Sequence, residues 1–341
     1  MKPHDKVECV QLHMERGVTA MCGDGGNDCG ALRASHVGVA LSDAEASIVS
    51  PFSSSNRSVM SCVELLRQGR GALATSFAGY KYMIMYGQTM GFVKIFSLYF
   101  SVTIPQNVWI LVDGFITIGL SWAVTQSKPA KKLASSRPTS RILGPETMAS
   151  VIGLVVMNWI FGCAAFGWLR SQPWYLCNEF DSSTVDYAKW WLLGDNYEAE
   201  ILGLVTLFQF VNSAFVFNLG YKFRRGWYRN YVLLILWGAF VVIVSYIELA
   251  EPNKFGCMFR INCGSADVLE KLGYSRPNFY IESYNLEQGH NVLPKEFRWR
   301  LWGFSMGNVI LGILWQAFFI LGPVRKYFEK RYPLERLQLK R

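Results

Sequence analysis

Cys22-Gly23-Asp24-Gly25-Gly26-Asn27-Asp28-Cys29-Gly30-Ala31-Leu32 follows a short apolar run, Val18 to Met21, and leads into residues compatible with a helix. Its glycines fall where a strand must turn sharply into that helix, and glycine accepts such backbone without steric cost. Bare backbone can approach an anion closely, and Asp24 and Asp28 offer the hard carboxylate oxygens that Mg²⁺ prefers. A Gly-Asp-Gly triplet alone is an ordinary turn, so the weight rests on the longer string.

Around this turn, residues 1 to about 55 alternate in the α/β manner. A helix is expected over Lys6 to Arg16, a strand over Val18 to Cys22, a short helix after the glycines, and a strand over Val37 to Leu41. That order predicts half of a doubly wound domain. From Asn56 to Gly71 the sequence is amphipathic, with Ser61 and Glu64 at capping-box spacing. No proline separates it from the apolar stretch Ala72 to Val102, which predicts one uninterrupted helix.

Of the 341 residues, 51% are hydrophobic and only 17% charged, a balance that favours a multi-span membrane protein over a soluble enzyme. Six apolar runs follow, near 80–102, 108–125, 147–169, 201–219, 231–249 and 299–321. Each is close to the roughly 20 residues that cross about 30 Å of hydrocarbon. Ile104-Pro105-Gln106-Asn107 joins the first two so tightly that they must form an antiparallel pair.

The net charge of +9 does not point to nucleic acid, because no basic helix or aromatic-studded sheet accompanies it. The cations sit instead in short loops. Lys128, Lys131, Lys132, Arg137 and Arg141 share one, and Lys222, Arg224, Arg225 and Arg229 a second. Arg325, Lys326, Lys330, Arg331, Arg336, Lys340 and Arg341 lie in the tail. With six crossings these segments and both termini fall on one side, expected to be the cytosol, opposite an acidic loop at 170–200. Trp168, Trp174, Trp190, Trp191, Trp227, Trp299 and Trp302 mark the run ends as interfacial aromatics. Cys9, Cys22, Cys29 and Cys62 fall on the reducing side, Cys22 and Cys29 as small buried hydrophobes, and Cys163 in the membrane. Cys177, Cys257 and Cys263 fall where oxidation is permitted, and a Cys257 to Cys263 bridge is one of the pairings open to them. His4, His13, His36 and His290 show no metal-ligand spacing.

Gly23-Asp24-Gly25-Gly26-Asn27-Asp28-x-x-Ala31-Leu32 resembles the GDGxNDxxAL signature of the P-type ATPases, pumps whose phosphorylation domain has a haloacid-dehalogenase fold. Val37-Gly38-Val39-Ala40-Leu41-Ser42 and Ala44-Glu45-Ala46-Ser47-Ile48-Val49-Ser50-Pro51-Phe52 are similar to class five, subgroup B, the polyamine-pumping endolysosomal type. Subgroup A, the helix-dislocating type, usually carries Thr-Asn-Asp-Val where this chain has Gly26-Asn27-Asp28-Cys29.

The resemblance implies an α-helical membrane bundle of six transmembrane helices, preceded by a partial α/β haloacid-dehalogenase-like phosphorylation domain. Residues 1–57 would be the C-terminal part of that domain, 58–79 the stalk, and 80–125 the fifth and sixth membrane helices. Residues 147–321 would form four supporting helices and 322–341 a basic cytosolic tail. It also implies ATP and Mg²⁺ as cofactors. Asp24 would bind Mg²⁺, Asn27 the phosphoryl group, and Asp28 would order the loop, while Gly23, Gly25 and Gly26 keep the phosphate approach open. Lys6, in Pro3-His4-Asp5-Lys6, would offset phosphate charge. The membrane would be endolysosomal or vacuolar.

No Asp-Lys-Thr-Gly-Thr nucleophile string and no Thr-Gly-Glu loop occurs in the sequence. The chain is therefore expected to be the C-terminal portion of a pump, with the N-terminal part as its partner, and to be inactive alone. The other readings are a subgroup A dislocase and a catalytically inactive truncated membrane protein. A membrane-anchored phosphatase would need its own Asp-x-Asp nucleophile, and the sequence has none.

Ionisable residues are expensive in a bilayer and mark pathways, and Asp113 is the clearest. It resembles the acidic residue on the sixth membrane helix of these pumps, and Tyr86 matches a tyrosine of the fifth that faces the polyamine path. Lys94 departs from the family, and counting from the Pro105 turn puts it at the depth of Asp113, so an ion pair between them is expected.

Overall fold

The computed structural model describes residues 1–43, 48–134, 136, 138–177, 192–220, 222–284 and 286–331. Motif residues 44–47, Arg137, residues 178–191 of the acidic loop with Trp190 and Trp191, and the tail from 332 onward with Arg336, Lys340 and Arg341 lie outside the described residues. The chain divides into two units, Met1–Ala72 with Pro129–Arg137 and Leu73–Lys128 with Pro138–Arg341.

In the first unit α1 spans Pro3–Met14. It starts earlier than Lys6 because Pro3, with its fixed φ and no N–H, suits the first helical position. Next come β1 (Ala20–Gly23), α2 (Cys29–Ala34), β2 (Val37–Ala40) and β3 (Phe52–Ser53). The strands form a parallel sheet in the order β1-β2-β3, with Ala20 opposite Val37 and Val39 opposite Phe52. Val18, expected in the first strand, stays outside it and is exposed. β3 was not expected, and two exposed residues give no periodic signal. Leu32 and Ala40 form the small core, with Met21, Cys29 and Val49 packed against it. Gly38 is required there, because a Cβ would lie 2.7 Å from the Leu32 carbonyl oxygen.

α3 runs unbroken from Met60 to Phe100, and the division between the units falls inside it. The expected Ser61–Glu64 capping box does not form. The helix has already begun at Ser61, so Ser58 takes the capping task and its Oγ accepts from the Met60 N–H at 3.3 Å. Glu64 instead accepts from Arg67 Nε and Gln68 Nε2, both at 2.7 Å. Arg67 Nη1 donates to the Ala130 carbonyl at 2.6 Å and Arg70 Nη1 to that of Ser136 at 3.2 Å, which ties 129–137 to the first unit.

Among the described residues of the second unit five helices are long and apolar enough to cross a membrane. They are α4 (Gln106–Thr125), α5 (Pro145–Arg170), α6 (Tyr197–Asn218), α7 (Tyr231–Leu249) and, after the short α8 (Lys254–Met258) and α9 (Ala266–Lys271), α10 (Lys295–Arg331). The remaining expected run, 80–102, lies largely within α3, whose C-terminal half carries Gln88, Thr89 and Lys94 and is not among the five. α4 widens into a π-helix over Leu111–Thr117, and α10 over Trp315–Val324. α10 is kinked at Gly322, where Pro323 supplies no N–H to the ladder.

Every residue of α6 is buried, as expected of a helix that is apolar on nearly all sides. α4, α5, α7 and α10 pack around it. Two of its amide side chains donate across to neighbouring helices, which offsets the cost of burying them in apolar surroundings. Gln209 Nε2 donates to the Asn158 carbonyl of α5 at 3.0 Å, and Asn212 Nδ2 to the Val309 carbonyl of α10 at 3.2 Å. After α7, Cys257 and Cys263 are disulfide-bonded, which selects one of the pairings the sequence left open. Arg260 Nε donates to Asp195 Oδ1 at 2.7 Å nearby.

Candidate functional site

The glycine loop is built on a buried carboxylate. Asp28 is 6% exposed, and its Oδ1 accepts from Lys6 Nζ of α1 at 2.6 Å. That hydrogen bond, working against burial, holds the Asp28 carboxyl below the usual carboxylate range. The Asp28 N–H also donates to the Gly25 carbonyl at 3.0 Å, closing a single 3-10 turn over Gly26–Asp28. A Cβ on Gly23 would lie 2.6 Å from Asp28 Oδ2, and one on Gly25 would lie 2.7 Å from Asn27 Oδ1. Gly23 is therefore needed for the loop to close over the buried Asp28, whereas the exposed Asn27 could turn away from a side chain at Gly25.

Asp24, Gly26 and Asn27 stand exposed, so a carboxylate and an amide are presented on the open side of a loop whose base is fixed. Among the described residues no group of three or more His, Cys, Asp or Glu could hold a metal ion. One exposed carboxylate still suits Mg²⁺, which keeps several waters and takes its remaining ligands from phosphate. Cys22, just before the loop, has its thiol pushed up to about 11 by burial, then by Cys62, Asp24 and Asp28. It stays a protonated thiol, in keeping with the small hydrophobe expected there.

In the second unit Tyr86 of α3 donates its OH to Asp113 Oδ1 of α4 at 2.7 Å. The Tyr86 ring also lies 5.7 Å from that of Phe210 on α6. Asp113 sits in the π-helical stretch of α4, where the wider turn exposes it together with Gly114.

The expected Lys94–Asp113 ion pair is absent among the described residues; Lys94 Nζ lies 4.9 Å above the Trp109 ring instead. Across the pair Tyr86 meets Asp113 and Lys94 meets Trp109, four positions earlier on α4. Tyr86, not Lys94, therefore stands level with Asp113. Trp109 and Phe210 were missed, and an aromatic within an apolar run carries no distinguishing signal. Glu200, Glu248 and Arg298 were missed too, all fully buried near the ends of α6, α7 and α10. Charges inside the edges of apolar runs could have flagged them. Arg298 donates to the Leu249 carbonyl at 3.3 Å and to Glu251 Oε2 at 3.1 Å.

No family model matches the chain. It is 33% identical over 272 residues to the human "Probable cation-transporting ATPase 13A5", covering 74% of this chain and 22% of that protein. To the human "Polyamine-transporting ATPase 13A3" it is 31% identical over 285 residues, 77% of this chain and 23% of the relative. To the human "Polyamine-transporting ATPase 13A2" it is 33% identical over 240 residues, 69% and 20% respectively. The matches thus span less than a quarter of the length of these relatives. They are transporting ATPases, and with the five apolar helices they make this chain a multi-pass membrane protein of that class. It belongs to the P-type ATPases of class five, subgroup B.

Proposed function

We propose that the chain forms the part of an ATP-driven, polyamine-transporting pump that holds the magnesium-and-phosphate loop, the stalk and six membrane helices. The observation that carries this reading is the Lys6–Asp28 bond beneath the glycine loop, with Asp24 and Asn27 left on its open side. Residues 1–57 are part of a haloacid-dehalogenase-like phosphorylation domain, 58–79 the stalk, 80–125 the fifth and sixth membrane helices, 147–321 the four supporting helices, and 322–341 a cytosolic tail. The membrane is endolysosomal or vacuolar, with both termini cytosolic.

When bound, Mg²⁺ neutralises charge that develops on the phosphoryl oxygens of ATP. Asp24 offers its carboxylate to that ion, and Asn27 donates its amide toward a phosphoryl oxygen. Gly25 and Gly26 present no side chain. Lys6 spends one N–H on Asp28 and keeps two for phosphate, so a single ammonium both anchors the loop and offsets charge. α3, unbroken over 41 residues, is the lever that carries movement of the loop to the transport site. There Asp113 and the Tyr86 face receive a substrate ammonium, and Lys94 on Trp109 lines the same path.

The nucleophile and the nucleotide-binding domain come from the N-terminal part of the pump, and this chain alone forms no phosphoenzyme. The test is a chimera in which this chain replaces the aligned stretch of the human 13A3 relative. Its ATP hydrolysis should be stimulated by spermine. Asp113→Asn should raise the half-stimulating spermine concentration about tenfold, the scale of one charge-assisted contact. Tyr86→Phe should raise it less, and unstimulated hydrolysis should stay unchanged. Stimulation unaltered in both variants would overturn the assigned path.

A further inference from the structure

In the second unit, cationic side chains from three segments converge: Lys81 of α3, Lys222 and Arg224 of the α6–α7 connection, and Arg325 of α10. Arg325 Nε lies 3.5 Å from Glu146 of α5 and 3.7 Å from Glu329, and Lys222 Nζ lies 2.9 Å from the same Glu329. Lys81 has Glu146, Arg224 and Arg325 as its electrostatic neighbours. It forms no ion pair among the described residues, and its ammonium lies 5.4 Å above the Phe217 ring. Arg224 is buried, and among the described residues it donates to neutral oxygens, Asn218 Oδ1 at 2.9 Å and the Phe217 carbonyl at 3.3 Å. Among the described residues two carboxylates, Glu146 and Glu329, thus answer these four cations, and surplus charge beside apolar helices favours an anion.

On the same pair of helices, α5 and α10 enclose an open apolar groove of about 310 Å³ lined by Met157, Leu311, Leu314, Trp315, Phe318 and Phe319. At about 1.5 Å per residue the groove lies roughly 9 to 21 Å along α10 from Arg325, and Met157 roughly 17 Å along α5 from Glu146. Because Arg325 pairs with Glu146, both helices put the groove at one depth below the charges. That is the separation of an acyl chain from its headgroup. We propose that this is a binding site for an anionic phospholipid, its phosphate on Lys81, Lys222 and Arg325 and one acyl chain in the groove. Basic pockets between membrane helices hold such headgroups. The proposal rests on the membrane reading and is independent of the pump's cargo.

The chain, purified and placed in bilayer nanodiscs of phosphatidylcholine with a minor share of phosphatidic acid, should retain phosphatidic acid on partial delipidation when weighed by native mass spectrometry. Each cation near a headgroup is worth about fivefold, so Lys81→Gln should cut the preference over phosphatidylcholine by about that factor. Lys222→Gln, at a side chain 34% exposed, should do the same without disturbing the interior. Phe319→Ser should weaken retention of both lipids at this site. Equal retention of the two lipids in the parent chain, or a preference unchanged in both lysine variants, would overturn the assignment. So would displacement of the lipid by inorganic phosphate or glycerol phosphate, which would mark a plain anion site.

Discussion

Lys6 and Asp28 stand 22 positions apart in sequence and share a 2.6 Å hydrogen bond, so the helix before the loop pins the residue that ends it. Lys6→Met should destabilise the first unit by about 2 kcal/mol at neutral pH, the scale of a hydrogen bond to a charged group. Asp28 has its carboxyl depressed by that bond, so its contribution is present above the ordinary value of 3.8 and is lost as pH falls through the lowered one. Amide exchange of Gly23 to Asp28 should therefore separate parent from variant at pH 7, and the gap should close on acidification below pH 4. A gap that persists in acid would contradict the assignment. At this scale the sequence marked the turn itself, because glycines gather where a strand gives way to a helix. It did not disclose the bonds that hold the turn. Counting from Pro105 gives depth but not the facing side, and Asp113 bonds Tyr86 while Lys94 lies on the Trp109 ring.

Among the elements, α6 shows what periodicity can and cannot tell. Its apolar run was plain, but that it lies at the centre, buried on every side, follows only from how the other helices surround it. The run expected at 231–249 became a helix with those same limits, because Asn230 caps it by accepting from the Leu233 N–H and a polar Ala250–Pro252 stretch follows. The start of α3 was misplaced because Ser58 and Ser61 are chemically equivalent caps in sequence. Contact between α3 and α5 is set by Gly162, where an added Cβ would lie 2.3 Å from Phe92 Cζ. Phe92 is buried, tilted against the Phe96 ring and edge-on to Trp159, so it has little room to yield. Gly162→Val should cost about 1–3 kcal/mol by overpacking, read from thermal unfolding in detergent. Phe92→Leu should recover part of that loss in the double variant, and strict additivity would show that the two do not touch.

For the whole molecule, the number of crossings decides the topology. Five helices qualify by length and apolarity, and the apolar half of α3 is proposed as the sixth. Cys9 and Cys177 are both exposed, and α3, α4 and α5 lie between them. If all three cross, a membrane-impermeant maleimide applied to sealed vesicles should reach Cys9 from one side and Cys177 only from the other. Labelling of both from the same side would mean that α3 does not cross. The sequence counts 80–102 among its six runs, and the polar Lys94 and Gln88 lower the apolarity of that stretch, which is not among the five. The two units answer to different physics, a small sheet that sets a loop and an apolar bundle, and the family relation joins them in one account.

That account stands on Asp24 as the carboxylate of a phosphate-handling loop. The most direct measurement is acid-stable labelling from γ-labelled ATP and Mg²⁺ in the 13A3 chimera, with and without Asp24→Asn. The parent chimera should take label, and the variant should take it more slowly by a factor on the order of 100 while remaining folded, since Asp24 is exposed. Labelling of the Asp24→Asn chimera at the parent rate would contradict it.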